Sequence, residues 1–350
     1  MNHPYTVGIT RDFLTPQGQL TYKDIGLRLF EAEPGCEPRF LEEHRTPVPP
    51  EQHRELDAML SLTPHWTEAT FSQGAERLLI VARFGVGYNE CDVGALTRND
   101  VLLTITPGAV DQPVAGGVLA MMLALSRRLL IKDRLVREGR WHERSRHQGT
   151  EMAGKVLGIV GFGGTGRQLR KLVEPFEMEV LIYDPFVSDE LARERRVERV
   201  ESLPELFSRA DYVSVHCLLN DETRGMVNRE LLARMKPTAF FFNASRGPIV
   251  KEGDLVEALA SGRIAGAGLD VFEDEPPAPD NPLFGMENVV LTPHSVCWTD
   301  ECFQAIGETA VRSILSVKHG EKPFGLINPE VWEQPGFQQK LQAMRERTGA

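Results

Sequence analysis

Short unbroken apolar runs recur along the chain, separated by stretches whose apolar residues return at helical spacing. Runs of this kind, apolar without alternation, predict parallel strands buried on both faces. They fall at Tyr5–Thr10, Leu78–Ala82, Val101–Ile105, Val156–Val160, Val180–Tyr183, Asp211–His216, Ala239–Asn243, Ala265–Val271 and Val289–Thr292, with a further strand and its flanks over Leu56–Thr63. Helical spacing marks Tyr22–Phe30 and Arg167–Val173. Val114–Arg128 predicts a long helix, apolar on most faces and therefore buried between domains or subunits. The alternating charges of Glu190–Arg199 predict a solvated helix face. Glu33-Pro34-Gly35 and Thr46–Pro50 punctuate the early section, and Thr106-Pro107-Gly108 reads as a hinge. Beyond Phe324 the tail is polar with scattered apolar residues that suit an extension packing back on the body. Strand, helix, strand is the repeating order, which predicts an α/β chain with doubly wound parallel sheets.

One of these strand-to-helix joints carries more than punctuation. The run ending at Val160 meets Gly161-Phe162-Gly163-Gly164-Thr165-Gly166 before the next helix. At such a joint Gly161 makes the tight turn, Gly163 lets a backbone approach a pyrophosphate, and Gly166 lets helix and strand pack closely. The helix start favours an anion through its unbonded N–H groups. A glycine triplet alone is weak, but the following strand ends in Asp184, roughly twenty residues on, where a ribose-binding acid belongs. A carboxylate there accepts from both ribose hydroxyls and repels a 2′-phosphate, so NAD is expected rather than NADP.

Bulk properties narrow the partners. The 350 residues permit two domains, and 41% hydrophobic with 25% charged residues describes a water-soluble globular chain. A formal net charge of -11 argues against a nucleic-acid backbone or an anionic lipid surface as partner. The basic stretch Arg137–His142 reads as an arm; intervening acids argue against nucleic acid there too. Five widely spaced cysteines without a C-x-x-C suit a reducing compartment, and no metal is expected. Met1–Val7 lacks the pattern of a secretory signal, and Val114–Leu125 is too short to span a bilayer, so a cytoplasmic location is expected.

Three groups at or just past strand ends could do chemistry: Arg246, Glu275 and His294. Singly, each also reads as an ordinary loop residue. Ends of parallel strands share one crevice, so together they form a set. A guanidinium grips a 2-keto acid through its carboxylate and carbonyl oxygens. An imidazole moves a proton to or from the carbonyl oxygen. A carboxylate beside it fixes its tautomer and favours its protonated form. The turn Arg83–Tyr88, glycine-rich at another strand end, could hold a carboxylate on its amides or be a plain turn.

The order Gly161–Gly166, Tyr183-Asp184-Pro185, Asn243-Ala244-Ser245-Arg246-Gly247, Leu269–Pro276 and Leu291-Thr292-Pro293-His294 resembles the D-isomer-specific 2-hydroxyacid dehydrogenases. The resemblance runs from Leu78 to about Val317. It implies a flavodoxin-like substrate domain (1–106 plus 297–350) and a Rossmann NAD-binding domain (107–296), with the cofactor between them. It implies Arg246, Glu275 and His294 as substrate-orienting arginine, histidine-tuning acid and acid/base. Cofactor contacts are implied at Gly161, Gly163, Gly164, Thr165, Gly166, Asp184, His216, Cys217, Ala244, Ser245, Arg246, Asp270 and His294. His216 and Cys217 would lie on the adenosine side, Asp270 and Ala244 on the nicotinamide side. The amides of Val86 and Gly87, with Arg246 and His294, would hold the substrate, a small 2-keto or 2-hydroxy acid. A homodimer joined through Val114–Trp141 is implied as well. The chain departs from the family pattern at Leu218, Gly116, Lys251 and Ser295–Trp298. An NAD(H)-binding corepressor or scaffold of the same fold is the alternative reading; a formate enzyme is disfavoured because it would carry an amide where Glu275 stands.

Overall fold

The computed structural model describes residues 3–349. The chain divides into two compact units, Met1–Val110 with Trp298–Ala350, and Asp111–Cys297. Unit one holds five parallel strands: β1 (Tyr5–Ile9), β2 (Cys36–Phe40), β3 (Ala58–Ser61), β4 (Ile80–Arg83) and β5 (Leu102–Thr104). Their spatial order is β2-β1-β3-β4-β5, the flavodoxin-like winding. Its core joins Trp66, Leu78, Val81 and Leu103, all fully buried.

Unit two holds β6 (Val156–Val160), β7 (Glu179–Tyr183), β8 (Glu198–Arg199), β9 (Tyr212–Val215), β10 (Phe240–Asn243), β11 (Gly266–Leu269) and β12 (Val289–Leu291). The order is β12-β11-β10-β9-β6-β7-β8, all parallel, so the winding reverses at β6 and β9. Such a reversal opens a crevice at the strands' C-terminal ends, where ligands of open α/β sheets bind. The apolar helix Asp111–Ser126 buries Ala115, Val118, Met121, Met122 and Leu125 within unit two itself. Glycines admit it closely: a Cβ on Gly268 would stand 3.0 Å from Met121. Among the described residues no single helix is long and apolar enough to cross a membrane, and no disulfide joins the cysteines.

The structure corrects two local expectations and adds two elements the sequence did not predict. Helix is confined to Arg28–Glu31 within Tyr22–Phe30, because Gly26 takes φ +80 and its backbone lies against Gly307 and Glu308. Strand β2 carries no apolar run: it is an edge strand with alternating exposure and a proline, Pro38, so its pairing is made by backbone alone. The charged run at Glu190–Arg199 ends as strand, since Arg199 pairs in register with Ile182. The tail forms a helix, Pro335–Thr348, whose Phe337, Leu341 and Met344 are buried and whose Arg347 joins Arg77 on the buried Asp57.

Candidate active site

The glycine turn stands at the sheet's reversal. Gly161 has φ +90, and a Cβ there would lie 2.6 Å from the Cys217 amide nitrogen at the end of β9. Gly166 faces the strand, its Cβ position 2.6 Å from the Gly161 carbonyl and 3.1 Å from Ile159. Gly163 differs: it precedes the helix Gly164–Val173 with nothing of the protein within 4 Å of its Cβ position. The space beside Gly163, with helix amides aimed into it, fits a pyrophosphate. Gly164, the fourth glycine, touches Asp111, whose carboxylate also accepts from Thr165 Oγ1 at 3.4 Å. Burial pushes the Asp111 carboxyl up, against the pull of Thr165 and Arg167. A glycine pattern alone does not reveal that contact.

Asp184 closes this corner. One carboxylate oxygen accepts from the Phe162 amide at 2.8 Å and the other from the Phe186 amide at 2.9 Å. It therefore braces the glycine turn, with acceptor lone pairs remaining for ribose hydroxyls. His216 accepts or donates at Nε2 with Ser214 Oγ, 2.8 Å away, and burial lowers its pKa to about 4, so it is neutral at physiological pH. Burial pushes the Cys217 thiol up to about 12, which removes it as a nucleophile.

Arg246, Glu275 and His294 converge at the ends of β10, β11 and β12. Asn243 sets the first: its side chain accepts from Ser245 N at 3.0 Å and donates to the Arg246 carbonyl at 2.9 Å. The Ser245 hydroxyl donates to the Cys217 carbonyl, and Arg246 Nη1 donates to the Ser245 carbonyl at 2.7 Å. A Cβ on Gly247 would overlap the Phe272 carbonyl, so only glycine lets this loop lie against the next strand's extension. Ala244 packs at the edge of the neighbouring core.

Asp270, 3% exposed, builds the histidine loop. Its Oδ1 accepts from Thr292 Oγ1 at 2.6 Å, Ser295 N at 2.7 Å and Val296 N at 2.9 Å, while its carbonyl accepts from His294 N at 2.8 Å. Burial raises its pKa despite those donors and the nearby His294. The loop so held puts His294 at φ +50, in the left-handed region that few non-glycine residues adopt. Its Nδ1 lies 2.7 Å from Glu275 Oε2, and Glu275 Oε1 accepts from Phe272 N at 3.1 Å. For Glu275, burial acts to raise the pKa, but the His294 bond and charge, the Phe272 amide and the Arg246 charge outweigh it, and the net shift is downward. An ionised Glu275 accepts only, so Nδ1 carries the proton of that bond and Nε2 is the ring nitrogen not engaged by Glu275. Asn243, Gly247 and Thr292 are legible in the sequence only as neighbours in a motif; the bonds of Asn243 and Thr292 and the close approach at Gly247 make them positioning residues.

In unit one the turn after β4 puts Gly85 at φ +126, its carbonyl accepting from the Thr106 amide at 3.0 Å. Val86 and Gly87 follow, both partly exposed. Among the described residues no group of three or more His, Cys, Asp or Glu is placed to hold a metal ion.

Comparison with known proteins agrees with this architecture. Residues 119–295 match the family model described as D-isomer specific 2-hydroxyacid dehydrogenase, NAD binding domain. A glyoxylate reductase of Korarchaeum cryptofilum is 39% identical over 82% of this chain and 88% of its own. A D-3-phosphoglycerate dehydrogenase of Methanocaldococcus jannaschii is 38% identical over 73% of this chain, but this spans only 48% of that longer protein. A crystal structure of a protein from Thermus thermophilus superposes with a TM-score of 0.80 at 29% identity, over 92% of this chain and 99% of that one. The chain belongs to the D-isomer-specific 2-hydroxyacid dehydrogenase family, with a nicotinamide-dinucleotide-binding domain in its second unit.

Proposed function

We propose that the protein interconverts a 2-keto acid and a D-2-hydroxy acid with NAD(H). The observation that carries this reading is the 2.7 Å pair of His294 Nδ1 and Glu275 Oε2, with the charge of Arg246 felt at the same carboxylate. When bound, dihydronicotinamide supplies the hydride that adds to the carbonyl carbon. Arg246 orients the keto acid through its carboxylate and carbonyl oxygens. His294 Nε2 gives its proton to the carbonyl oxygen as the double bond becomes an alcohol C–O bond, and takes it back in the oxidative direction. Glu275 remains ionised and stabilises the imidazolium that gives up that proton. The amides of Val86 and Gly87 take the substrate carboxylate.

Asp184 supports NAD over NADP, since a fixed carboxylate there repels a 2′-phosphate. Cysteines without a disulfide suit a reducing, cytoplasmic setting. A homodimer is part of the reading: Leu129, Leu130, Val136 and Trp141, all within Val114–Trp141, are each more than half exposed. A cavity of about 320 Å³ lies beside Leu130 and Ile131 and offers a partner's side chains a seat. Sedimentation should give a dimer that Leu130→Glu weakens.

The decisive experiment follows NADH loss at 340 nm with a panel of keto acids. Turnover that His294→Ala reduces about 10²–10⁴-fold supports the assignment. A His294→Ala protein as active as the parent refutes it, and binding of NADH without turnover of any keto acid favours the corepressor or scaffold reading.

A further inference from the structure

We infer that the preferred substrate is a 2-keto acid bearing an aromatic side chain, received by Tyr22 and Trp298. This rests on the proposed reaction and on the Val86-Gly87 turn as its carboxylate site. Unit one gathers five aromatic rings into one cluster that begins at that turn. Phe84, immediately before Gly85, meets Phe13 edge-on at 5.0 Å and lies 5.6 Å from Phe303. Phe303 stacks on Tyr22 at 4.1 Å and meets Trp298 edge-on at 5.3 Å. Tyr22 and Trp298 complete the set edge-on at 5.7 Å.

The cluster is sealed at one end and open at the other. Phe13, Phe84 and Phe303 are 0%, 3% and 7% exposed, whereas Trp298 is 53% exposed. An indole half in water at the rim of a closed aromatic set presents a large apolar face to a guest ring. Two ring contacts separate Phe84 from Trp298, so a group reaching the indole from the turn must be longer than a methyl. Glyoxylate, the substrate named for several relatives, has no side chain with which to use these rings.

The two outer rings are held in place before any guest arrives. Trp298 directly precedes Thr299, the N-cap of helix Asp300–Lys318, whose hydroxyl accepts from Cys302 N at 3.1 Å. Lys23, next to Tyr22, pairs with Asp300 of the same helix at 2.9 Å. Gly26 lies against the backbone of Gly307 in that helix, 2.7 Å from the position its Cβ would take. A surface fixed from both sides loses little freedom on binding, which favours affinity. Burial and the Asp12 charge keep the Tyr22 hydroxyl protonated, so it can bond a ring substituent.

The test is steady-state kinetics with glyoxylate, pyruvate and phenylpyruvate, read by NADH fluorescence, on the parent, Trp298→Ala, Trp298→Phe and Tyr22→Ala. The parent should favour phenylpyruvate over glyoxylate in kcat/KM by about 10-fold or more. Trp298→Ala should cut that ratio about 10–100-fold, mainly through KM for phenylpyruvate, and Trp298→Phe should restore most of it. Thermal melts identify any variant that fails to fold, and Tyr22→Ala then carries the same comparison. A parent that prefers glyoxylate, or a ratio unmoved in folded Trp298→Ala, overturns the aromatic assignment and leaves the dehydrogenase reading standing. Turnover of no keto acid overturns both.

Discussion

Two glycines of one turn should fail in opposite ways when a methyl is added. At Gly161 the backbone is at φ +90 and a Cβ would lie 2.6 Å from the Cys217 amide nitrogen, a backbone atom that cannot rotate away. Left-handed strain of roughly 1–2 kcal/mol adds to an overpacking cost of about 1–3 kcal/mol. Gly161→Ala should therefore lose about 2–5 kcal/mol of stability in the free protein, with the melting temperature down by roughly 5–15 °C. At Gly163 the φ is -72 and no protein atom lies within 4 Å of a Cβ, so the free protein should tolerate alanine with under about 1 kcal/mol of change. Its cost should appear with the dinucleotide. A methyl there displaces a phosphate from the helix amides by about 1 Å and forfeits most of one charge-assisted hydrogen bond, about 1.5–3 kcal/mol. That corresponds to roughly a 10–150-fold higher Kd for NADH. Differential scanning fluorimetry of the free proteins and calorimetric titration with NADH separate the two effects. If Gly163→Ala bound NADH as tightly as the parent, the pyrophosphate would not run beside Gly163, and the cofactor placement would be wrong.

Other consequences are as direct. Asp184→Asn removes the fixed negative charge while keeping one acceptor, so the preference of NADH over NADPH in kcat/KM should fall about 10-fold or more; an unchanged ratio would separate Asp184 from the ribose. His216 is buried neutral with a pKa of about 4 against an unfolded value of ~6.5, so the unfolded chain binds more protons between those limits. Its contribution is complete above the unfolded pKa and is lost as pH falls toward 4, amounting to about 2 kcal/mol by pH ~5. Urea unfolding at two pH values should show this loss and His216→Gln should abolish it. Gly247→Ala should lower kcat/KM about 100-fold by pushing the Arg246 loop off the Phe272 carbonyl, with secondary structure retained by circular dichroism.

The sheets were legible because a strand buried on both faces must be apolar at every position, and that condition is written locally. Gly161 and Gly166 announced a turn for a similar reason, since a side chain at either would strike backbone, while Gly163 leaves open space for a ligand. The placement of Arg246, Glu275 and His294 past successive strand ends followed from the winding. The edge strand β2 escaped, since its bonds come from the backbone and its side chains alternate toward water. Helix in the Tyr22 segment was overestimated because Gly26, pressed on a helix from the far end of unit one, decides where that helix starts.

The sequence alone thus determined two parallel sheets, a dinucleotide turn and three candidate groups, since each depends on residues adjacent in the chain. Only the tertiary structure decided that Asp270 holds the His294 loop with three hydrogen bonds to one oxygen, that Glu275 accepts from His294 rather than merely lying near it, and that Tyr22 meets Trp298. Such contacts join residues tens to hundreds of positions apart, and no local period records them. They are fixed by which strands stand side by side and by the few ångströms that packing leaves between them.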